Sequence, residues 1–318
     1  MRSREGIEER WVSVTDSVTW RRLARSGPGS RLLASRSYRA VDTARRFAAT
    51  SIQTARHRER FRDVETLCVF IGHAKSGGTL LGALLDAHPD VVLADEIDVL
   101  RYVAAGFRRD QIFHLLVKGS RREAQKGRVT ARRLDPYSFA VPGQWQGRHR
   151  ELRVIGESRA GPTTRRLGRE PDLLPRLSQR MDGVRPRFIH VVRHPMDPIA
   201  AMVRRGRRTF DDAISDYGRQ SRTLLELRRR IDPGDLLTVR YERFVREPVE
   251  SLRASCTFLG LEPEQSYINA CAAIIDPSFR RERDTVEWQE GHLERVRELI
   301  SRTPFLDGFE PDAHENGA

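Results

Sequence analysis

Residues 72–79 read Gly-His-Ala-Lys-Ser-Gly-Gly-Thr, after the apolar run Leu67 to Ile71 and before the apolar stretch that starts at Leu80. A strand that turns through small residues into a helix offers backbone N–H groups and a positive helix end to a phosphate. The pattern that holds nucleoside triphosphates, G-x-x-x-x-G-K-[ST], is met by Gly72, Gly77 and Thr79. Its lysine is displaced: Gly78 stands in that place and Lys75 lies three residues earlier. The loop therefore suits a phosphate followed by something other than a normal triphosphate.

A second cation marks another strand end. The apolar run Phe188 to Val192 leads into Arg193, His194 and Pro195. In many triphosphate enzymes a later strand ends in an Asp that helps to hold Mg²⁺. A guanidinium does the opposite, binding phosphate bidentately and repelling a metal ion. Both anchors favour anions, and no metal is expected. Cys68, Cys256 and Cys271 have neither CxxC spacing nor a His cluster beside them, so reduced thiols are expected in place of a zinc site or a disulfide framework.

The elements that must carry these residues are legible as an alternation. Apolar runs at 67–72, 91–93, 153–156, 187–192 and 236–240 read as strands. Helical stretches are expected at 78–87, from 156 through 181, at 195–204, 210–231 and 248–259, the last stopped by Gly260. Continuous apolar strands between helices predict an α/β, P-loop-like doubly wound domain, with a central parallel sheet flanked by helices and the site beyond the carboxyl strand ends. Residues 118–150, punctuated by Gly and Pro and rich in Arg, read as an insertion loop. The expected organisation is a basic N-terminal extension over 1–62, with a turn or linker at 26–30 and a helix over 38–61. The main domain follows over 63–309, then a flexible tail over 310–318.

Three segments together carry a resemblance. Residues 75–81 (KSGGTLL) resemble the 5′-phosphosulfate loop of sulfotransferases that use 3′-phosphoadenosine 5′-phosphosulfate (PAPS). Residues 191–197 (VVRHPMD) resemble their 3′-phosphate segment. Residues 240–248 (RYERFVREP) with 258–261 (FLGL) resemble the Y-E-x-x-x-x-x-P and F-L-G-L signatures. The three occur in family order over roughly 67–309. The run 85–90 (LDAHPD) followed by Asp95 and Glu96 is most similar to tyrosylprotein sulfotransferases and related bacterial enzymes.

The resemblance implies sulfuryl transfer from PAPS to a hydroxyl or amine of an unidentified small-molecule, carbohydrate, lipid or peptide acceptor. It implies Glu96 as catalytic base and Lys75 at the bridging oxygen where leaving-group charge develops. Ser76, Gly77, Gly78 and Thr79 are expected to cradle the 5′-phosphate, Arg193 to bind the 3′-phosphate and Tyr241 to lie near the adenine. Asp95 and His73 are the other candidate bases; Asp95 and Glu96 also suit capping of a helix that begins near Ile97. Two positions depart from the family: Ala201 stands where a Ser or Thr usually helps to bind the 3′-phosphate, and Ser158 where a lysine is frequent. Arg280, Arg281 and Arg283 are candidate replacements for the first, and Arg159 for the second.

Charge narrows the partners. The 318 residues hold 57 Lys plus Arg against 44 Asp plus Glu, a net charge of +13, and all but three of the cations are arginine. Residues 1–62 carry 15 basic and 6 acidic side chains, and residues 101–169 carry 17 and 5, so the remainder is acidic. That distribution suits a small polyanion, or contact of 1–62 with an anionic surface, better than nucleic acid. Without aromatic residues interleaved in the basic segments, base stacking has no support. No run of 18 apolar residues occurs and the first residues are charged, so a cytoplasmic protein is expected. Two other readings stay open: a phosphate-loop kinase, disfavoured by Gly78 and Arg193, and a noncatalytic nucleotide- or polyanion-binding protein.

Overall fold

The computed structural model describes residues 36–56, 59–95, 97–129, 138–204, 208–276 and 281–311. Glu96, Arg280 and the expected linker at 26–30 lie outside the described residues. The chain divides into two compact units, Met1–Ala55 and Arg56–Ala318. In the first, helix α1 (Arg36–Arg56) carries an Asp42–Arg46 pair one turn apart, with nitrogen and oxygen 3.0 Å apart. It begins near the expected start and stops earlier than expected, at Arg56; Phe61 instead lies in a turn of the second unit, edge-on to Phe113 in the core.

The second unit is built on five parallel strands: β1 (Thr66–Gly72), β2 (Val91–Ala94), β3 (Val154–Glu157), β4 (Arg185–Val192) and β5 (Leu236–Arg240). They lie in the order β2-β3-β1-β4-β5. All seven residues of β1 are buried because successive side chains enter different cores. Leu67, Val69 and Ile71 pack into one cluster and Cys68 and Phe70 into the other, across the sheet. The first core is covered by α3 (Val99–Ala104), α4 (Arg109–Gln125), α5 (Ala160–Arg169), α6 (Leu173–Met181), α7 (Met196–Arg204) and α8 (Phe210–Arg230). The second is covered by α2 (Gly78–Leu85), α9 (Tyr241–Arg246), α10 (Pro248–Leu259) and α11 (Gln265–Ala273). Helix α12 (Glu290–Ser301) packs on the first.

This is the expected α/β architecture, with two local corrections. Residues 118–125 are not loop; they complete α4, whose buried Ile112, Leu115, Leu116 and Ser120 form one face. Arg-rich composition hid a helix whose apolar residues are concentrated in its first half. Beyond it, the described part of the insertion is fastened by Asp86. This fully buried carboxylate accepts from Ser120 Oγ (2.7 Å), Leu93 N (2.6 Å) and Gly147 N (3.0 Å) and pairs with Arg128. At the other terminus the expected tail starts fixed: the Glu310 carbonyl lies 2.7 Å from His194 Nε2. Residues 312–318 lie outside the described residues.

Cys68, Cys256 and Cys271 are free thiols, all buried. No helix among the described residues is long and apolar enough to cross a membrane.

Candidate functional site

Strand register assembles the site. Gly72 pairs with Val191 and Val192 with Arg240, so the loop after β1, Arg193 after β4 and Tyr241 after β5 emerge at one level. This is the carboxyl edge of the sheet, where the connection leaving β1 runs to one side and the connection leaving β4 to the other, the position at which open α/β sheets bind ligands. On the other flank Ala94 pairs with Glu157, which sets Asp95 beside Ser158.

The loop itself is strained into an anion cradle. Lys75 has φ +75° and Gly77 φ +93°, both left-handed, and such alternation turns successive N–H groups inward. A non-glycine residue held there costs about 1–3 kcal/mol, and such strain collects at functional sites. Helix α2 starts at Gly78 with no side-chain cap and no acidic residue in its first turn, which leaves its positive end open to an anion. Ser76 Oγ is buried and has no hydrogen-bond partner among the described residues. A buried hydroxyl without a partner is costly, and an anion in the loop would satisfy it.

Arg193 and Tyr241 close the cradle from the β4 side. The guanidinium carbon stands 4.6 Å from the Tyr241 ring centre, and Nη1 lies 3.4 Å from the Lys75 carbonyl. The same ring lies against Gly77, where a Cβ would overlap it. Arg193 Nε donates to Asp197 Oδ2 at 3.0 Å, one helical turn on. Asp197 is fully buried and also accepts the Arg283 backbone N–H (2.9 Å), with Arg283 Nη1 at 3.5 Å. Two guanidiniums therefore share one carboxylate. Arg283, one of the candidate replacements for the hydroxyl missing at Ala201, is thus joined to Arg193 through Asp197; Ala201 is buried in α7.

Glu242 ties these parts together. Its Oε1 accepts the His194 N–H at 2.8 Å, joining the start of α9 to the turn after β4, and burial pushes its carboxyl up. The residues Asp197 and Glu242 were not singled out from sequence, although Asp197 stands four after Arg193 and Glu242 directly follows Tyr241.

On the β2–β3 flank, Ser158 Oγ donates to Asp95 Oδ1 at 3.0 Å and Thr79 Oγ1 approaches it at 3.4 Å. Thr79 is thus turned toward a carboxylate, and Ser158 occupies the place of the frequent family lysine by bonding Asp95. Helix α2 approaches so closely that a Cβ on Gly82 would strike Ser158.

His73 is set apart from the chemistry. It is buried, stacked 3.6 Å from Tyr217 at 3°, with Nε2 3.2 Å from both the Tyr217 carbonyl and Ser221 Oγ. Burial lowers its pKa to about 3, so it stays neutral and serves packing. Glu157, next to Ser158, was not singled out. It is fully buried, accepts Val99 N and Thr163 Oγ1 at 3.1 Å, and is pushed up to about 8, first by burial and then by the Asp98 charge.

Comparison with known proteins agrees with the motifs. A model of the sulfotransferase family matches residues 185–265, the stretch that holds Arg193, Tyr241 and the FLGL run. The resemblance to sulfotransferases read from the sequence therefore holds. No curated protein sequence matches the chain. Among solved structures, sulfotransferase STF9 from Mycobacterium avium is similar at TM-score 0.50 and 10% identity, covering 85% of this chain and 84% of its own. The sulfotransferase domain of the Synechococcus PCC 7002 olefin synthase aligns at TM-score 0.48 and 19% identity, over 76% of this chain and 94% of its own. Mouse sulfotransferase SULT7A1, solved in complex with PAP, aligns at 0.42 and 14%, over 75% and 83%. The first of these likenesses shows the fold: a P-loop-like α/β domain.

Proposed function

We propose that this protein is a PAPS-dependent sulfotransferase, in which residues 63–309 form the catalytic domain and residues 1–62 an accessory basic extension. The observation that carries the reading is the meeting of two anion anchors. Arg193, backed by Arg283, stands against the loop that contains Lys75 and the unpartnered Ser76 hydroxyl. A donor with phosphate at both its 3′ and 5′ positions needs two such anchors.

In this reading the Ser76–Thr79 stretch holds the 5′-phosphate with backbone N–H groups and the Ser76 hydroxyl. Arg193 and Arg283 meet the 3′-phosphate, while Tyr241 fixes the Arg193 guanidinium and borders the nucleotide. The acceptor oxygen or nitrogen forms a bond to sulfur as the bond from sulfur to the bridging oxygen breaks. The electron pair leaves on the 5′-phosphate, where the Lys75 ammonium stabilises it. The acceptor proton passes to Glu96, with Asp95, held by Ser158, as the neighbouring carboxylate. A kinase has less support: Gly78 takes the place of the triphosphate lysine, and Asp197 is engaged by two guanidiniums.

The test is binding first, then turnover. Stabilisation of the protein by 3′,5′-ADP without magnesium is expected in a thermal melt; stabilisation by Mg-ATP alone would sink the proposal. With radiolabelled PAPS and a panel of hydroxyl and amine acceptors, Lys75→Ala and Glu96→Gln are expected to lower transfer at least a hundredfold. If Asp95→Asn abolishes transfer and Glu96→Gln does not, Asp95 is the base.

A further inference from the structure

The donor loop draws on few of the chain's arginines. The most basic stretch, residues 101–169, contributes Arg108 and Arg109 to a separate cleft of about 440 Å³, which is within the range of small-molecule sites. Its walls are the end of α3, the start of α4 and the last turns of α6, where Arg176 and Arg180 lie. Asp182 completes the wall three residues before β4 begins. The cleft therefore sits toward the amino end of the sheet, whereas Lys75 and Arg193 lie at the carboxyl end.

Four guanidiniums line this cleft against two carboxylates. Arg109 is committed: Nε donates to Asp110 Oδ1 at 2.9 Å and Nη1 to the Asp182 carbonyl at 2.8 Å. Asp182 presents that carbonyl from a left-handed turn, φ +37°, followed by Gly183 at +82°. Arg176 reaches the Ala104 carbonyl at 3.4 Å, at the end of α3. The carbonyl ends of α3 and α6 offset part of the positive charge. Arg108 and Arg180 remain, neither with a carboxylate partner among the described residues. Two uncommitted guanidiniums in one concave site, with the Gln179 amide beside them, form a receptor for a phosphate group carrying two or more negative charges.

We propose that this cleft binds a small phosphate-bearing polyanion, independently of the donor loop. The experiment is calorimetric titration of full-length protein with inorganic pyrophosphate, in a Lys75→Ala background that weakens the donor loop. Binding is expected there, and Arg108→Gln/Arg180→Gln added to that background should weaken it at least tenfold. Equal affinity with and without the added pair, or no binding in the Lys75→Ala protein, overturns the proposal. A measurement on the unaltered chain guards against misfolding of the variants: pyrophosphate should protect Arg108 and Arg180 from phenylglyoxal, read by peptide mass spectrometry. Protection confined to Arg193 and Arg283, beside the donor loop, counts against it. AMP should compete with pyrophosphate, whereas citrate should not; equal competition by citrate shows a general anion site and overturns the phosphate assignment.

Discussion

The Arg193 guanidinium rests on the Tyr241 ring, 4.6 Å from its centre, and the same ring leaves Gly77 no room for a Cβ. One aromatic side chain thereby couples the cation at the end of β4 to the loop after β1. A cation over a ring contributes about 1 kcal/mol, nearer 2 when desolvated. Tyr241→Phe, which keeps the ring, is expected to bind 3′,5′-ADP within about twofold of the parent, while Tyr241→Leu binds about fivefold or more weakly. Calorimetry at one fixed salt concentration decides it; indistinguishable Phe and Leu variants would refute the coupling.

Two adjacent glycines should answer differently to the same methyl group. Gly77 has φ +93° and a ring where its Cβ would go, so Gly77→Ala is expected to cost about 2 kcal/mol or more. Gly78 begins α2, and an added Cβ meets nothing nearer than 3.5 Å among the described residues. Gly78→Ala should change stability by less than about 0.5 kcal/mol. Urea denaturation of both variants is the check, and similar losses would contradict the difference in backbone.

The buried carboxyl of Glu157 makes stability depend on pH. Its pKa is raised from 4.5 to about 8, so between these values the folded chain keeps a proton that the unfolded chain has released. The contribution of this group to stability therefore falls as pH rises from 4.5 toward 8. Glu157→Gln removes that dependence. Its stability relative to the parent should climb from pH 5 to pH 8, by at most about 1.4 kcal/mol per pH unit. A difference that stays level across that range would show that Glu157 is ionised when folded.

Asp86 is expected to be structural. Asp86→Asn leaves the buried Arg128 without its counter-charge, and breaking a pair of this kind costs about 3–5 kcal/mol. The measurement is guanidinium chloride denaturation, paired with 3′,5′-ADP binding to the fraction that remains folded. Binding should be retained; its selective loss with little change in stability would place Asp86 in the site.

His73 tests which loop residue is chemical. With a pKa near 3 it stays neutral from pH 5 to 9, so His73→Gln should leave the shape of the pH–rate profile unchanged while lowering the melting temperature. A limb that disappears from the profile of the variant would make His73 the base.

Much of this arrangement was open to sequence reading because it is local. β5 and α10 fall on the residues that apolar runs and punctuation mark, and α10 ends at Gly260 with φ +77° as a glycine stop should. The 118–125 stretch reads as loop because its charge is dense and its buried Ser120 carries no apolar signal, yet it completes α4. Asp197 stands one helical turn after Arg193, but that it also holds Arg283, eighty-six residues on, is not legible locally. Helix α3, entered from Asp98 Oδ1 accepting Arg101 N at 2.9 Å, begins two residues later than the capping by Asp95 or Glu96 would place it.

Composition, period and short motifs determined the alternation of strands and helices, the glycine-rich loop after β1 and the cation at a strand end. Each of these is a property of neighbouring residues, set by backbone geometry and side-chain alternation. The tertiary structure decided which groups meet: Tyr241 against Gly77, Arg283 with Arg193 on one carboxylate, His73 withdrawn against Tyr217, and Asp95 held by Ser158. These contacts join residues from about sixty to about one hundred and sixty positions apart, and only the register of a parallel sheet with its covering helices brings such pairs within bonding distance.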